Sequence, residues 1–342
     1  MDALPTLGGI AKKHGLDGPM AEVMARSAEL LGQGATDLES ALLSSLDGAS
    51  KKVNEVCGHI MEAGGKMIRP VICMLSYRAV RGEDPLPLDL AVSCELLHNS
   101  TLLHDDVIDE GEVRRGRPSA SVVYGNALSI LGGDYLLMRC VEIVAASGPR
   151  YMAPFVETLR MLVEGEVVQL RLRGSVNTTQ EEYLEIIECK TASLFRWAAN
   201  AGAMAADADK KTCEAMGLFG RHVGMAFQLI DDVLDLSADA QALGKDLLAD
   251  IGEGKMTLPV ILAAERCNEL RPLLADLAAG GDAQEIVPGI VEFVTSSNAI
   301  ADVKALASQH HQKGIEALAG VTNPNKEMID ILTELSGALI LR

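Results

Sequence analysis

Two acidic runs constrain this chain more than any other feature: Asp105-Asp106-Val107-Ile108-Asp109 and Asp231-Asp232-Val233-Leu234-Asp235. Each puts carboxylates at i, i+1 and i+4, which on a helix gather within about one turn. Like charges held that close repel, and helix propensity gives no reason to cluster them. A bound cation does. The ordinary fate of a charge run is a solvated face. Here the apolar Leu102-Leu103 before the first run, the Arg114-Arg115 pair after it and the second copy argue for a site instead. Two helices, each carrying such a run, could face each other across a cavity and offer six carboxylates.

The rest of the chain suits such a fold. Of its 342 residues 48% are hydrophobic but only 3% aromatic, so the apolar mass is aliphatic and helix-favouring. No alternating strand pattern stands out. The expectation is all-α: a single-domain helical bundle around a central cavity, over residues 36–342. Residues 1–35 read as a Gly-rich N-terminal extension with one amphipathic segment, Met20 to Leu31, able to pack on a partner. A net charge of −18 excludes a general nucleic-acid binder, which needs basic surface. Seven cysteines, odd in number and without CxxC, read as buried thiols in a reducing compartment. Neither a signal peptide nor an apolar run of membrane-spanning length is evident, so the expected setting is cytoplasmic.

Local patterns place the elements. Thr36 and Glu39 fit a capping box that opens a helix carrying Leu38, Leu42, Leu46, Val53, Val56 and Ile60, ending at Gly64-Gly65. Lys66 and Arg69 then precede a helix N-terminus, where free amides favour an anion. A long helix from Leu88 carries Glu95, His98 and the first acidic run. His98 lies about two turns before Asp105, on the same side. Glu95-Leu-Leu-His98 also spells the Glu-x-x-His of di-iron bundles, but it occurs once where that site needs two, and it is set aside. Further helical runs cover 119–146, 151–173, 179–206 and 211–236. Gly132-Gly133 permits close helix approach. Breaks fall at Pro272, Gly280-Gly281, Pro288 and Pro324.

Carboxylates without His or Cys suit Mg2+, which binds through a few of them plus substrate phosphates. Around them stand Lys66, Arg69, Arg114, Arg115, Lys190, Lys245 and Lys255, cations in an otherwise acidic chain. Carboxylate, metal and phosphate ringed by Lys and Arg mean diphosphate chemistry. With no strand-borne phosphate loop this is not nucleotide phosphoryl transfer. Neutralising a diphosphate makes it a leaving group, and what remains is a carbocation in an apolar helical cavity.

At this point the chain resembles the trans-isoprenyl diphosphate synthases, in particular the long-chain, octaprenyl-type polyprenyl branch. The resemblance rests on Gly64–Pro70, His98, the first acidic run with Arg114-Arg115-Gly116-Arg117-Pro118, and Gly133-Asp134-Tyr135-Leu136-Leu137. It continues through Lys190-Thr191, Phe227-Gln228 with the second acidic run, and Gly244-Lys245 to Gly254-Lys255-x-Thr257-Leu258-Pro259. It spans residues 64–259, and the ends carry little of it. The sequence departs from the family at Met67, where a basic residue is common, and at Leu248 and Gly252.

The resemblance implies a homodimeric, Mg2+-dependent prenyltransferase that condenses isopentenyl diphosphate with geranyl or farnesyl diphosphate. Asp105, Asp106, Asp109, Asp231, Asp232 and Asp235 would hold the metal. Arg114, Lys190, Lys245 and Lys255 would hold the allylic diphosphate, and Lys66, Arg69, His98 and Arg115 the isopentenyl diphosphate. Thr191 and Gln228 would face the allylic cation. Ionisation comes first, the isopentenyl double bond attacks, and the departed diphosphate takes the proton.

Product length has its own handle. Thr101, Ser100 and Leu97 stand four, five and eight residues before Asp105, below the metal site if the helix lines the cavity. Short-chain relatives of this resemblance carry bulky aromatics at the first two positions. Small residues here imply a heptaprenyl to decaprenyl product, octaprenyl in the middle, for a quinone side chain, with Leu97 or Tyr135 near the tunnel floor. Two alternatives remain at this stage. A terpene cyclase leaves Lys66, Arg69 and His98 without a task and carries Ser or Thr followed by Glu where this chain has Asp235 and Asp239. A non-catalytic subunit of a heteromeric synthase could dispense with the aspartates, yet both runs are complete.

Overall fold

A computed structural model describes residues 18–81, 85–236 and 254–341. Lys245, Leu248 and Gly252 fall outside these residues. In chain order the helices are α1 (Gly18–Leu31), α2 (Gln33–Ser44), α3 (Lys51–Glu62), α4 (Ile68–Val80) and α5 (Leu88–Ile108). A two-residue hairpin, β1 (Val113–Arg114) and β2 (Arg117–Pro118), comes next, then α6 (Ala120–Tyr124), α7 (Asn126–Ser147) and α8 (Pro149–Leu172). α9 (Gln180–Ile187) continues through a π-helical turn, Glu188–Ala192, into α10 (Ser193–Ala205). Then follow α11 (Lys210–Asp235), α12 (Leu258–Arg266), α13 (Leu270–Ala278), α14 (Ala283–Ser296), α15 (Ala299–Leu318) and α16 (Lys326–Ile340). The fold is the expected all-α bundle, and no single helix among the described residues is long and apolar enough to cross a membrane.

α5 is buried over most of its circumference, with Leu90, Ala91, Val92, Cys94, Leu96 and Leu97 all in the core. A helix apolar all round belongs at the centre of a bundle. Three of its buried polar residues donate to backbone: Ser93 to Leu90 O, Asn99 to Glu95 O, and Ser100 across to Gly133 O of α7 at 2.8 Å. α5 packs along α7, α10 lies between α4 and α11, and α11 packs on α15. α1 buries Met20, Val23 and Met24 and packs on this chain's own α16. The main core surrounds α4, α5 and α10, and a second one joins the C-terminal half of α11 to α12, α14 and α15. Four of the seven cysteines are buried and three half-buried, all as free thiols.

Several expected boundaries need correction. Residues 36–64 are not one helix. α2 begins three residues before Thr36, capped by Gly32 and not by Thr36, and ends at Ser44; α3 restarts after Ser50, whose hydroxyl accepts from Val53 N. The apolar period survives the break because α2 and α3 bury their stripes in one core. The run 119–146 divides at Gly125, whose φ of 83° no helix admits. Pro272 falls in the first turn of α13, where a missing N–H costs nothing, and Pro288 is carried within α14, so neither is a break.

Candidate active site

The C-terminal end of α5, the end of α8, α9, the π turn, α11 and the segment Gly254–Thr257 enclose a cavity of about 250 Å3. Asp105 and Asp109 enter it from the last turn and C-cap of α5, Asp232 and Gln228 from α11, Lys190 and Thr191 from the π turn, Arg114 from β1, and Arg173 and Lys255 from the loops.

The two acidic runs do not present their residues equally. A helix turns about 100° per residue, so Asp105 and Asp109 share a face while Asp106 is rotated away. Asp106 is fully buried, and Nε and Nη2 of Arg114 both reach its Oδ1 at 2.7 Å. Its Oδ2 is buried without a partner. The sequence reading that all three carboxylates gather on one side is corrected: two line the cavity, and the third fastens Arg114. Asp109 takes Lys255 on Oδ2 at 2.7 Å and Arg173 on Oδ1. Burial raises the Asp109 carboxyl, but Lys255, Lys190 and Arg173 outweigh it and hold the group below its ordinary value. Asp105 has less help. Burial pushes it up to about 6 against the pull of Lys190, whose Nζ lies 3.7 Å away. Asp232, 3% exposed, accepts from the Tyr183 hydroxyl at 2.5 Å and from the Gln228 amide at 2.8 Å.

The π turn is how Lys190 and Thr191 both reach this cavity. An α-helix would aim neighbouring residues about 100° apart, and a π turn widens the helix by one residue at such a place. Two glycines accommodate the extra width. A Cβ at Gly165 of α8 would stand 2.9 Å from Lys190 N, and one at Gly224 of α11 would stand 2.6 Å from Ala192 Cα. Lys190 pairs with Glu166, and the Thr191 hydroxyl donates to Gln228 Oε1 at 2.9 Å.

A second cationic site lies behind the first. The hairpin turn is Arg115-Gly116, with φ of 53° and 73°, the doubly positive pattern of a tight two-residue hairpin. It sends consecutive arginines in different directions. Arg114 turns to Asp106, while the Arg115 guanidinium lies against Gly65 and 3.5 Å from Ile60 O. Arg69 stacks on Phe195 with its guanidinium carbon 4.6 Å from the ring centroid. Burial lowers Arg69 to about 10, still protonated at neutral pH, and the buried Glu95 opposes that fall. Burial and the charges of Arg69, Arg115 and Arg114 hold His98 well below its ordinary value, so its imidazole is neutral. Lys66 stands half-buried on the loop before α4.

The chain-length candidates sit away from the cavity lining, in the packing of α5. Leu97 and Ser100 are each 2% exposed, Thr101 is half-buried with its hydroxyl on His98 O, and Tyr135 packs from α7 against the main core. Sequence reasoning missed Glu166, Arg173, Tyr183 and Phe195. Arg173-Gly174, a loop cation beside a glycine, carries the same signal as Arg115-Gly116 and was legible. Tyr183 was not, because its role depends on α9 crossing to α11.

Residues 50–293 match the polyprenyl synthetase family. The chain belongs to that family. As a polyprenyl synthetase it is a trans-prenyl diphosphate synthase by relationship. The octaprenyl diphosphate synthase of Escherichia coli strain K12 is 33% identical over 292 residues, covering 85% of this chain and 90% of that one. The short chain isoprenyl diphosphate synthase of Methanothermobacter thermautotrophicus is 36% identical over 266 residues, covering 76% and 82%. Among solved structures, a polyprenyl synthase of Caulobacter crescentus, crystallised with calcium and isoprenyl diphosphate, superposes with a TM-score of 0.87. It is 32% identical and covers 93% of this chain and 97% of its own.

Proposed function

We propose that this polyprenyl synthetase makes a long-chain all-trans polyprenyl diphosphate, heptaprenyl to decaprenyl with octaprenyl favoured, from isopentenyl diphosphate and geranyl or farnesyl diphosphate. The observation that carries this reading is the pairing of two cationic sites, one facing three carboxylates across a cavity and one, half-buried, at Lys66, Arg69 and Arg115. A terpene cyclase has a single diphosphate to hold and no use for the second.

Asp105, Asp109 and Asp232 would hold Mg2+, with Asp231 and Asp235 on the same helix end. The donor set fits: all oxygen, on opposed helices. Among the described residues no three His, Cys, Asp or Glu side chains form a metal cluster by themselves, and Mg2+ takes one or two carboxylates with substrate phosphates and waters for the rest of its shell. When bound, the ion supplies charge neutralisation to the leaving diphosphate. Lys190, Lys255 and Arg114 bind that diphosphate, as would Lys245. Arg69, Arg115 and Lys66 fix the isopentenyl diphosphate, and neutral His98 adds a hydrogen bond without another charge. Asp232 anchors the Gln228 amide, so Gln228 Oε1 and Thr191 Oγ1 are held as oxygen dipoles beside the allylic carbon. Bound diphosphate then accepts the proton lost on condensation.

The decisive assay combines the purified chain with Mg2+, farnesyl diphosphate and labelled isopentenyl diphosphate, with products sized by reversed-phase chromatography. Chain extension is expected. A released hydrocarbon would indicate the cyclase, and silence without a partner chain the subunit. Arg69→Met should raise the KM for isopentenyl diphosphate about 100-fold, from loss of a buried charge-assisted contact, with little change for the allylic substrate.

A homodimer belongs to the same proposal. Leu131 and Met138 on α7 and Val156, Val163 and Val167 on α8 are 44–64% exposed. Apolar residues grouped on adjacent helices mark an interaction surface, and α7 and α8 pack against each other. Val163→Asp with Leu131→Asp should halve the mass seen by sedimentation equilibrium. An unchanged mass would place the interface elsewhere.

A further inference from the structure

Arg173 is absent from the motifs that mark this family in the sequence, yet it grips one of the acidic residues. It follows α8 directly and donates from Nη2 to Asp109 Oδ1 and from Nη1 to Ile108 O at 3.2 Å. Lys255 holds the other Asp109 oxygen at 2.7 Å. The two cations are themselves joined through backbone, because Gly174 N donates to Gly254 O at 2.8 Å, tying the residue after Arg173 to the residue before Lys255. The Asp109 side chain is 7% exposed and that of Arg173 31%, so the pair sits at the cavity wall and not in open solvent. Both oxygens of a proposed metal ligand are therefore occupied by protein cations.

The geometry points to Arg173 as an internal counter-cation that satisfies Asp109 when no divalent ion is bound and must be displaced for one to bind. Three observations converge on an exchangeable contact. Arg173 Nε is buried with no partner, so the guanidinium is incompletely satisfied where it lies. Arg173 lines the same cavity as Asp105, Lys190 and Lys255. Arg173 lies in the loop that follows α8 and not on a helix face, and its side chain is not part of either apolar core. Metal loading and release of Arg173 are then one equilibrium. Two cations competing for one buried carboxylate shift each other's occupancy by linkage. This rests on the proposed Mg2+ role of Asp109. Arg173 acts here as a positioning residue that sets the metal requirement.

The test is calorimetric titration of the metal-stripped full chain with Mg2+ at saturating inorganic diphosphate, comparing wild type, Arg173→Met and Arg173→Lys. Arg173→Met should bind Mg2+ about five- to tenfold more tightly, as expected for removing one charge-assisted competitor. Arg173→Lys should stay near wild type. The melting temperature of metal-free Arg173→Met should fall by a few degrees and recover with Mg2+. Equal or weaker Mg2+ affinity in Arg173→Met overturns the latch while leaving the metal site intact. No Mg2+ binding by any of the three overturns the metal reading of Asp109 itself, and the latch with it.

Discussion

Asp105→Asn is expected to lower kcat about a thousandfold, while Asp106→Asn acts chiefly on the allylic KM. The two residues are neighbours with the same side chain, and the difference comes from which way the helix aims them. Asp105 lines the cavity 3.7 Å from Lys190. An amide there keeps the shape but loses the anionic oxygen a divalent ion needs, and metal stabilisation of a leaving diphosphate is worth several kcal/mol, on the order of three decades in rate. Asp106 makes no such approach. Its Oδ1 takes two donors from Arg114, so an amide frees that guanidinium and loosens the allylic diphosphate without removing a ligand. Steady-state kinetics over a range of Mg2+ concentrations separates the two. Equal losses of kcat in both variants would show that the face assignment is wrong.

Chain length gives the second large effect. If the growing chain leaves the described cavity along α5, Ser100→Phe and Thr101→Phe are each expected to shorten the proposed product of about eight isoprene units to about three or four, since these positions lie roughly 6–7.5 Å along α5 from Asp105. The structure separates the two variants. Ser100 is buried, and its hydroxyl reaches Gly133 O, so a phenyl group there must also push on α7 at its glycine pair. Overpacking of that kind costs about 1–3 kcal/mol, which a melting curve will report. Thr101 is half-buried with only a local hydrogen bond to His98 O, so its variant should shorten the product with little loss of stability. Product sizing by reversed-phase chromatography decides the matter. Unchanged length in both variants would move the tunnel floor away from this turn of α5.

Much of the fold was legible because the signals are local. Aliphatic composition and helical periodicity give the all-α bundle, and the lengths of α5 and α11 follow from their uninterrupted runs. The exceptions are instructive. Leu38 to Ile60 keep one period across two helices, since apolar spacing reports the core a residue faces and not the continuity of the backbone. Pro272 reads as a stop, yet the first turn of a helix tolerates it. At the site, residue types were legible but directions were not. Arg114 and Arg115 look like one clamp in sequence, and two positive φ angles in the hairpin turn send them to separate sites.

What the sequence determined by itself is the set of groups: two clusters of carboxylates, a ring of cations in an acidic chain, and an aliphatic helical body to hold them. Those follow from side-chain identity and spacing. Only the tertiary structure decided that Asp106 fastens Arg114, that a π turn wedged against Gly165 and Gly224 brings Lys190 and Thr191 to one cavity, and that Arg173 holds Asp109. Each of these joins residues far apart in the chain or depends on a backbone torsion. The direction of a side chain is fixed by what packs against it, and spacing along the chain carries no record of that.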